Sequence, residues 1–310
     1  MIKLTVISTV YNQAAYVAQM IESVLMQKTN FDFEFIIAND CSTDNSGEII
    51  QEYASKNSCI KFIDNENNLG LIRNYTQCLE KARGKYIAGL GGDDFYIDPD
   101  KLQMQVDFME ANPGYGMVHT QFDELYMQKR GIKPRYMKNC QKEAKYLEGD
   151  IFLRLAVNNK VNAVTVCYKR SLIVESDLIE RFNRQEYHIE DLPMWLEISR
   201  THKVGYINKS TVCYRRNDNS ACHFKDIEES LQYNKHTLFI SKTFLEKQKL
   251  DKGMVDFYCS QHESITYSYF YFKKNDLKNY IKHYNRLVNK PWDRIVMLWV
   301  LRLRLGFLFN

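Results

Sequence analysis

Leu4-Thr5-Val6-Ile7, continued by Ser8-Thr9-Val10-Tyr11-Asn12, sets a short β-rich run against a polar ending, and Tyr16, Val17, Met20, Ile21, Val24 and Leu25 follow at helical spacing. That change of period reads as strand, then helix. The alternation recurs. Phe35-Ile36-Ile37-Ala38 precedes a helix carrying Ile49, Ile50 and Tyr53; Phe62-Ile63 precedes one carrying Leu71, Ile72, Tyr75, Cys78, Leu79 and Ala82; Tyr86-Ile87-Ala88 closes the series. Strands separated by amphipathic helices predict an α/β protein with a mostly parallel mixed sheet flanked by helices.

In open sheets of this kind ligands sit beyond the carboxyl ends of the strands. Three of those ends are polar here: Ser8 to Asn12 after the first strand, Asn39-Asp40-Cys41-Ser42-Thr43-Asp44 after the second, and Gly91-Gly92-Asp93-Asp94 after the fourth. No GxGxxG follows the first strand and no GxxxxGK[ST] occurs anywhere, so neither a dinucleotide site nor a P-loop is expected.

Composition narrows the class further. The 310 residues are 45% apolar and 26% charged, enough for one large or two modest globular domains. The net charge of +4 divides into an acidic first hundred residues, with 8 basic against 14 acidic side chains, and a basic remainder. So small a sum argues against a dedicated nucleic-acid binder. Eight cysteines show no CxxC or zinc-ribbon spacing and no secretory leader precedes them, which predicts reduced thiols in a cytoplasmic protein. The apolar run from Ile295 to Phe309 is 15 residues long and holds Arg302 and Arg304, too short and too charged to span a bilayer.

After residue 115 the rhythm loosens. A polar stretch runs from Gln128 to Lys145, a helix is expected near Asp150–Val157, strands near Val164–Tyr168 and Val204–Ile207, and helices after Glu190 and Asp226. Nine Lys or Arg against two Asp lie between Lys273 and Arg304, and Leu277, Tyr280, Ile281, Tyr284 and Leu287 mark a basic amphipathic helix there. This region reads either as a surface that meets anionic lipid, through Lys273, Lys274, Lys278, Lys282 and Arg286 with Trp292, Leu298, Trp299 and Leu301 inserting, or as a helix packed on the rest of the protein.

Each polar loop has two readings. The Tyr11 ring can stack on a base while Asp40 accepts from a pyrimidine imide N–H, or Tyr11 packs on the sheet edge and Asp40 caps a helix. Asp93 and Asp94 suit a hard divalent cation, Mn²⁺ or Mg²⁺, or they shape a turn. Arg73, in the first turn of the helix opened by Asn68-Leu69-Gly70, grips a phosphate or forms a surface pair. Asp191, ahead of Pro193, is a catalytic carboxylate or a helix cap.

Taken together these loops resemble family 2 glycosyltransferases, inverting enzymes of the GT-A fold that take a sugar from a nucleotide donor. The resemblance rests on Thr5 to Asn12, Asn39 to Asp44, Asn68-Leu69-Gly70 with Arg73-Asn74, Ala82-Arg83-Gly84-Lys85-Tyr86-Ile87-Ala88, and Gly91-Gly92-Asp93-Asp94. It implies a donor site of Thr9, Tyr11, Asn12, Asp40, Arg73, Asp93 and Asp94, with Asp93 and Asp94 holding the metal. Glu190-Asp191 looks like the family's later acidic pair, with Asp191 as catalytic base. Arg215, in Val212 to Ser220, looks like a basic residue that meets the diphosphate.

Thr9 stands where the family usually has Pro, Asn39 and Cys41 replace Asp and Gly, and Gly91 replaces the first carboxylate of the DxD element. The implied organisation is a catalytic domain over 1–225, with a nucleotide-binding part to 110, and a helical basic region over 226–310. The implied function is transfer of a single sugar from a UDP-sugar to a glycan or lipid-linked acceptor in surface-polysaccharide assembly, at the inner membrane face. The competing reading is a sugar-nucleotide-binding or scaffold protein that has lost turnover.

Overall fold

The computed structural model describes residues 2–127, 135–140, 147–216, 226–274 and 276–287. Strand β1 (Leu4–Val10) is buried along almost its whole length, as a strand covered on both faces must be. It lies between β2 (Phe33–Asn39) and β4 (Tyr86–Gly89), both parallel to it, and β3 (Ile60–Asp64) extends the sheet beyond β2. The crossovers are α1 (Val17–Leu25), α2 (Ser46–Lys56) and α3 (Leu71–Lys81). Val17, Met20, Ile21 and Val24 of α1 turn one stripe onto Leu4, Val6, Phe35 and Ile37, and all eight are fully buried. Each such side chain contributes about 1.5–3 kcal/mol relative to exposure.

Beyond β4 the sheet changes character. A two-residue β5 (Phe95–Tyr96) and helix α4 (Lys101–Ala111) lead into β6 (Tyr115–Tyr126), with the short β7 (Arg135–Met137) antiparallel to its end. After α5 (Phe152–Val157) come β8 (Cys167–Lys169), α6 (Ser171–Val174), α7 (Leu178–Asn183), α8 (Asp191–Ser199) and β9 (Lys203–Arg216). The order across the sheet is β3-β2-β1-β4-β8-β6-β9-β5, with β8 antiparallel to β4 and β6 and β9 parallel to β6. The expected α/β class with a mixed sheet is what the chain adopts.

Strand β6 has no counterpart in the sequence reading, and its burial says why. His119, Thr120, Gln121, Asp123 and Glu124 are all buried together with Met117, Val118 and Phe122, so polar and apolar residues do not alternate. The polar groups are bonded internally: Thr120 Oγ1 meets Thr211 Oγ1 at 2.7 Å, and Asp123 Oδ1 accepts from Ser210 Oγ at 2.5 Å.

The chain forms two compact units, Met1–Phe152 with Lys160–Ser220, and Leu153–Asn159 with Ala221–Asn310. In the second, α9 (Ile227–Lys247), α10 (Lys252–Lys273) and α11 (Leu277–Tyr284) begin at capping carboxylates. Asp226 accepts from Glu228 N and Glu229 N (both 2.8 Å), Asp251 from Met254 N (3.1 Å) and Asp276 from Asn279 N (3.0 Å). The apolar face expected on the last helix exists, but Tyr280, Tyr284 and Leu287 are buried against Ile265, Tyr271 and Phe272 of α10. Its cations Lys278, Lys282 and Arg286 remain exposed. Trp292, Leu298, Trp299 and Leu301, expected to insert in lipid, lie outside the described residues, and among the described residues no helix is long and apolar enough to cross a membrane.

Candidate active site

Strand register brings the polar loops to one edge. Val10 pairs with Asn39 and Asn39 with Asp64, while Gly89 pairs with Ile7. Asp40 N then donates to Val10 O (2.8 Å) and Leu90 N to Ile7 O (3.0 Å), which aligns the exits of β1, β2 and β4.

The first two loops are stitched together. Asn12 N donates to Ser42 Oγ (2.9 Å), Gln13 N to Ser46 Oγ (2.8 Å) and Ala14 N to Asp44 Oδ2 (3.0 Å), while Asn12 Oδ1 accepts from Thr43 N (2.8 Å). Asn12 takes a left-handed φ of 54°, a region that asparagine tolerates better than most residues. Burial pushes the Asp44 carboxyl up, but the bonds from Ser46 and Ala14 outweigh it and hold the group below its ordinary range. Tyr11 is left 48% exposed, a ring face open for stacking, and Thr9 is half-buried.

Asp40 is 4% exposed. Its Oδ1 accepts from Leu69 N (2.8 Å) and Asn65 Nδ2 (3.2 Å), and its Oδ2 accepts from Gly70 N (2.9 Å). The carboxylate thus organises the entry to α3, where Gly70 has φ +79°, and retains acceptor capacity on Oδ2. Behind it Asn65, Asn74 and Gln77 form an amide network anchored to Ala38 O. The two unusual residues beside Asp40 have local reasons. Asn39 Nδ2 donates to Asp64 Oδ1 (2.7 Å), and Cys41 sits at φ 59°, a left-handed conformation that explains why glycine suits the position.

The turn after β4 is closed by Asp94 N donating to Gly91 O (3.1 Å). A Cβ at Gly91 would stand 2.9 Å from Asp94 Oδ2 and 3.3 Å from Asp93 Oδ1, so oxygens of both carboxylates converge on the space that the missing side chain leaves. A Cβ at Gly92 would meet Val10, Gln13 and Thr9 O at 3.2–3.4 Å, which locks this turn against the exit of β1. Asp94 is 2% exposed; burial and the Asp93 charge drive its carboxyl well above the ordinary range, against the pull of Arg215. Among the described residues no group of three or more His, Cys, Asp or Glu side chains gathers as a cation site. The fit to a divalent ion is therefore two convergent carboxylate oxygens, which suits a hard cation completed by phosphate oxygens.

Arg215 is 3% exposed and does not project from the turn. Its backbone N donates to Asp94 Oδ1 (2.6 Å), its Nη1 to Asp93 O and its Nη2 to Gln19 Oε1 (2.5 Å), and its guanidinium lies over the rings of Tyr16 (4.7 Å) and Phe95 (4.9 Å). Both terminal nitrogens of this side chain, expected at the diphosphate, bond the protein itself, while its buried Nε has no hydrogen-bond partner among the described residues. Gln19 and Phe95 escaped the sequence reading, and Tyr16 entered it only as part of the apolar stripe of the first helix; it stands at the cap of α1, three positions ahead of Gln19.

Arg73 is exposed on α3, and the Gln185 side-chain oxygen accepts from its Nε and Nη2 (3.2 and 3.3 Å) in the amide orientation that satisfies both groups. It thereby ties α3 to the loop that leads into Glu190 and Asp191. Glu190, not Asp191, occupies the cap position of α8; Asp191 is the first helical residue and its Oδ1 accepts from Leu192 N (2.7 Å). Pro193 follows within the first turn, where no intrahelical N–H bond is lost. Burial, reinforced by the Asp191 charge, raises the Glu190 carboxyl to about 7. Its charge reaches Tyr75 and Tyr168, whose hydroxyls meet at 3.0 Å.

One matching stretch has nothing to do with chemistry. Arg83 N, Nε and Nη2 converge on the buried Glu34 (2.7, 2.9 and 2.6 Å), Thr5 Oγ1 bonds the same carboxylate (2.8 Å), and Gly84 N donates to Thr5 Oγ1 (2.9 Å). A Cβ at Gly84 would fall 2.4 Å from Thr5 N, so Ala82 to Ala88 is a packing signature at the far ends of the strands.

Comparison with known proteins agrees with this arrangement. An uncharacterized protein of Mycobacterium tuberculosis is 37% identical over 111 residues, 36% of this chain, and the match spans about a third (32%) of that relative's length. EpsE of Bacillus subtilis is 29% identical over 225 residues, covering 71% of this chain and 74% of its own. Among solved structures, S. aureus TarS in complex with UDP-GlcNAc superposes with a TM-score of 0.62 at 15% identity, covering 96% of this chain and 84% of that one. The mannosyltransferase PcManGT from Pyrobaculum calidifontis, in complex with GDP-Man and Mn²⁺, gives 0.58 at 12% identity over 92% and 73%. These likenesses establish the GT-A fold. The model of Glycosyl transferase family 2 matches residues 5–168, more than half of the chain, and the protein is a member of that family.

Proposed function

We infer that this glycosyltransferase moves one sugar from a UDP-sugar to a hydroxyl of a glycan or lipid-linked acceptor, with inversion at the anomeric carbon. The observation that carries the reading is the convergence at one sheet edge of an open ring, Tyr11, a buried acceptor, Asp40, and the paired oxygens of Asp93 and Asp94. Tyr11 stacks on the base and the remaining acceptor capacity of Asp40 Oδ2 takes a pyrimidine imide N–H. Thr9 and Asn12 line the same loop, and Arg73 lies beside the phosphates. The UDP-GlcNAc bound by TarS supports the donor class.

Asp93 and Asp94 would hold Mn²⁺ or Mg²⁺ with the donor diphosphate, and such an ion, when bound, offsets the charge of the leaving group. The Mn²⁺ complex of PcManGT supports this. Asp191 accepts the acceptor proton as its oxygen bonds to the anomeric carbon and the bond to the diphosphate oxygen breaks; general base catalysis of this kind is worth about 10²–10⁴-fold. Beside it, the Glu190 carboxyl is raised to about 7 by burial and the Asp191 charge, so when the pair holds one proton it sits on Glu190 and the negative charge on Asp191.

The basic face of α11 favours an anionic membrane surface on the cytoplasmic side, at about 1 kcal/mol per cation near such a surface. Because its apolar face is occupied by α10, the attraction is electrostatic. A panel of nucleotide sugars scored for hydrolysis and for transfer tests the whole reading: turnover of a UDP-sugar supports it, and binding without turnover across a broad acceptor panel favours the scaffold alternative.

A further inference from the structure

Arg215 is a buried cation that bonds the acidic turn through both its backbone and its side chain. From the last residues of β9 it reaches back across more than a hundred positions of sequence to bond Asp94 Oδ1 through its own backbone N and Asp93 O through its guanidinium. Two rings, from the residue ahead of α1 and from β5, cover the guanidinium, and Gln19 takes its second terminal nitrogen. β5 itself is held by antiparallel pairing of Phe95 with Cys213 and Tyr96 with Val212. The turn is thus fixed from both sides by one strand end. It also lacks the side chain at position 91 that would otherwise fill the space into which Asp93 Oδ1 and Asp94 Oδ2 point.

We propose that Arg215 is a positioning residue that clamps the Asp93–Asp94 turn in the geometry that receives the donor diphosphate and its ion, and does not itself contact the donor. The physical case is a distinction between a fork and a point charge. A planar guanidinium sandwiched between rings, with two nitrogens donating to fixed oxygens, sets a geometry; a lysine in its place carries the same charge but neither the plane nor the paired donors. A direct phosphate contact depends first on charge, and lysine, which binds phosphate as a point charge, retains part of it. The proposal rests on the donor-site reading given above.

The test compares wild type with Arg215→Lys and with Gln19→Leu, the latter an exposed α1 position whose substitution leaves the core intact. UDP binding is measured by calorimetry in EDTA and in Mn²⁺, and amide hydrogen exchange is followed over residues 91–96. Arg215→Lys is expected to bind UDP in EDTA within twofold of wild type, to lose tenfold or more of the Mn²⁺-dependent gain in affinity, and to exchange at least tenfold faster over 91–96 while residues 4–10 are unchanged. Gln19→Leu is expected to change both readouts in the same direction by a smaller factor, about two- to fivefold.

Rescue of the Mn²⁺-dependent gain by lysine, or an equal loss of UDP affinity in EDTA, overturns the proposal in favour of direct phosphate contact. Unchanged exchange over 91–96 in both variants also overturns it. If wild type binds UDP with no gain from Mn²⁺, the metal reading fails on its own, and the exchange measurement still decides whether the clamp exists.

Discussion

Asn39 Nδ2 donates to Asp64 Oδ1 at 2.7 Å, across the exits of β2 and β3, while Asn39 Oδ1 accepts from Ser42 Oγ at 2.5 Å. An amide serves both partners; a carboxylate serves only the second. Asn39→Asp, which restores the residue usual in the family, therefore sets two carboxylates against each other at a site where Asn39 is 4% exposed. The variant is expected to lose about 1–2 kcal/mol at pH 7 and less at pH 4, where one carboxyl of the pair takes a proton and donates to the other. Urea unfolding at the two pH values measures this.

Tyr11→Ala removes a ring that is half exposed and takes part in no packing of the core cluster. Stacking on a base is worth about 1–3 kcal/mol, so UDP affinity should fall roughly tenfold or more with no change in melting temperature. Calorimetry in which GDP binds wild type as tightly as UDP would falsify the pyrimidine assignment of Tyr11 and Asp40.

Gly91→Ala tests the acidic turn with one methyl group. Its Cβ would arrive 2.9 Å from Asp94 Oδ2 and 3.3 Å from Asp93 Oδ1, so the Asp94 carboxylate must swing away from the point on which the two converge, against its bond from the Arg215 amide. Mn²⁺-dependent UDP affinity should weaken about tenfold while affinity in EDTA is retained. Wild-type affinity in the variant under both conditions would show that the two carboxylates do not act on one ion.

The acidic pair at α8 predicts a pH profile. With the Glu190 carboxyl at about 7, its ionisation sets a second charge beside Asp191 and strengthens that base, so the rate should show a limb of no more than about tenfold near neutrality. Asp191→Asn keeps shape and should cost about 10²–10⁴-fold, whereas Glu190→Gln should stay within about tenfold and lose the limb near 7. The reverse pattern would move the base to Glu190. For stability the sign is opposite to that of a salt-bridged carboxylate: a folded-state value raised above the unfolded one contributes stability below about 4.5. That contribution is lost as pH rises through about 7, and Glu190→Gln should abolish the loss.

Gly84→Ala examines the far end of the sheet. A Cβ 2.4 Å from Thr5 N and 2.6 Å from Leu4 C meets backbone, which cannot yield as a side chain can. The cost should be about 1–3 kcal/mol or more in thermal or urea unfolding, with UDP affinity unchanged in the folded fraction.

Local pattern alone determined the first hundred residues. Short apolar runs alternating with helical periods specify strands and helices because each element buries its own stripe, and the pattern also set the loops of Thr9 to Asn12, Asp40 and Asp93-Asp94 at strand exits, which strand register brings to one edge. What pattern could not supply is whatever depends on partners distant in sequence. Strand β6 is buried on both faces with polar residues satisfied by Thr211 and Ser210, so its sequence carries no period to read. Arg215 looks like a phosphate ligand by type, and only packing against Tyr16 and Phe95 turns it inward. Equally, charge spacing marked α11 as amphipathic but could not say that α10 takes its apolar face. A side chain's identity limits the contacts it is able to make; the tertiary structure decides which of them forms, because the competing partners reach it only once the chain has folded back on itself.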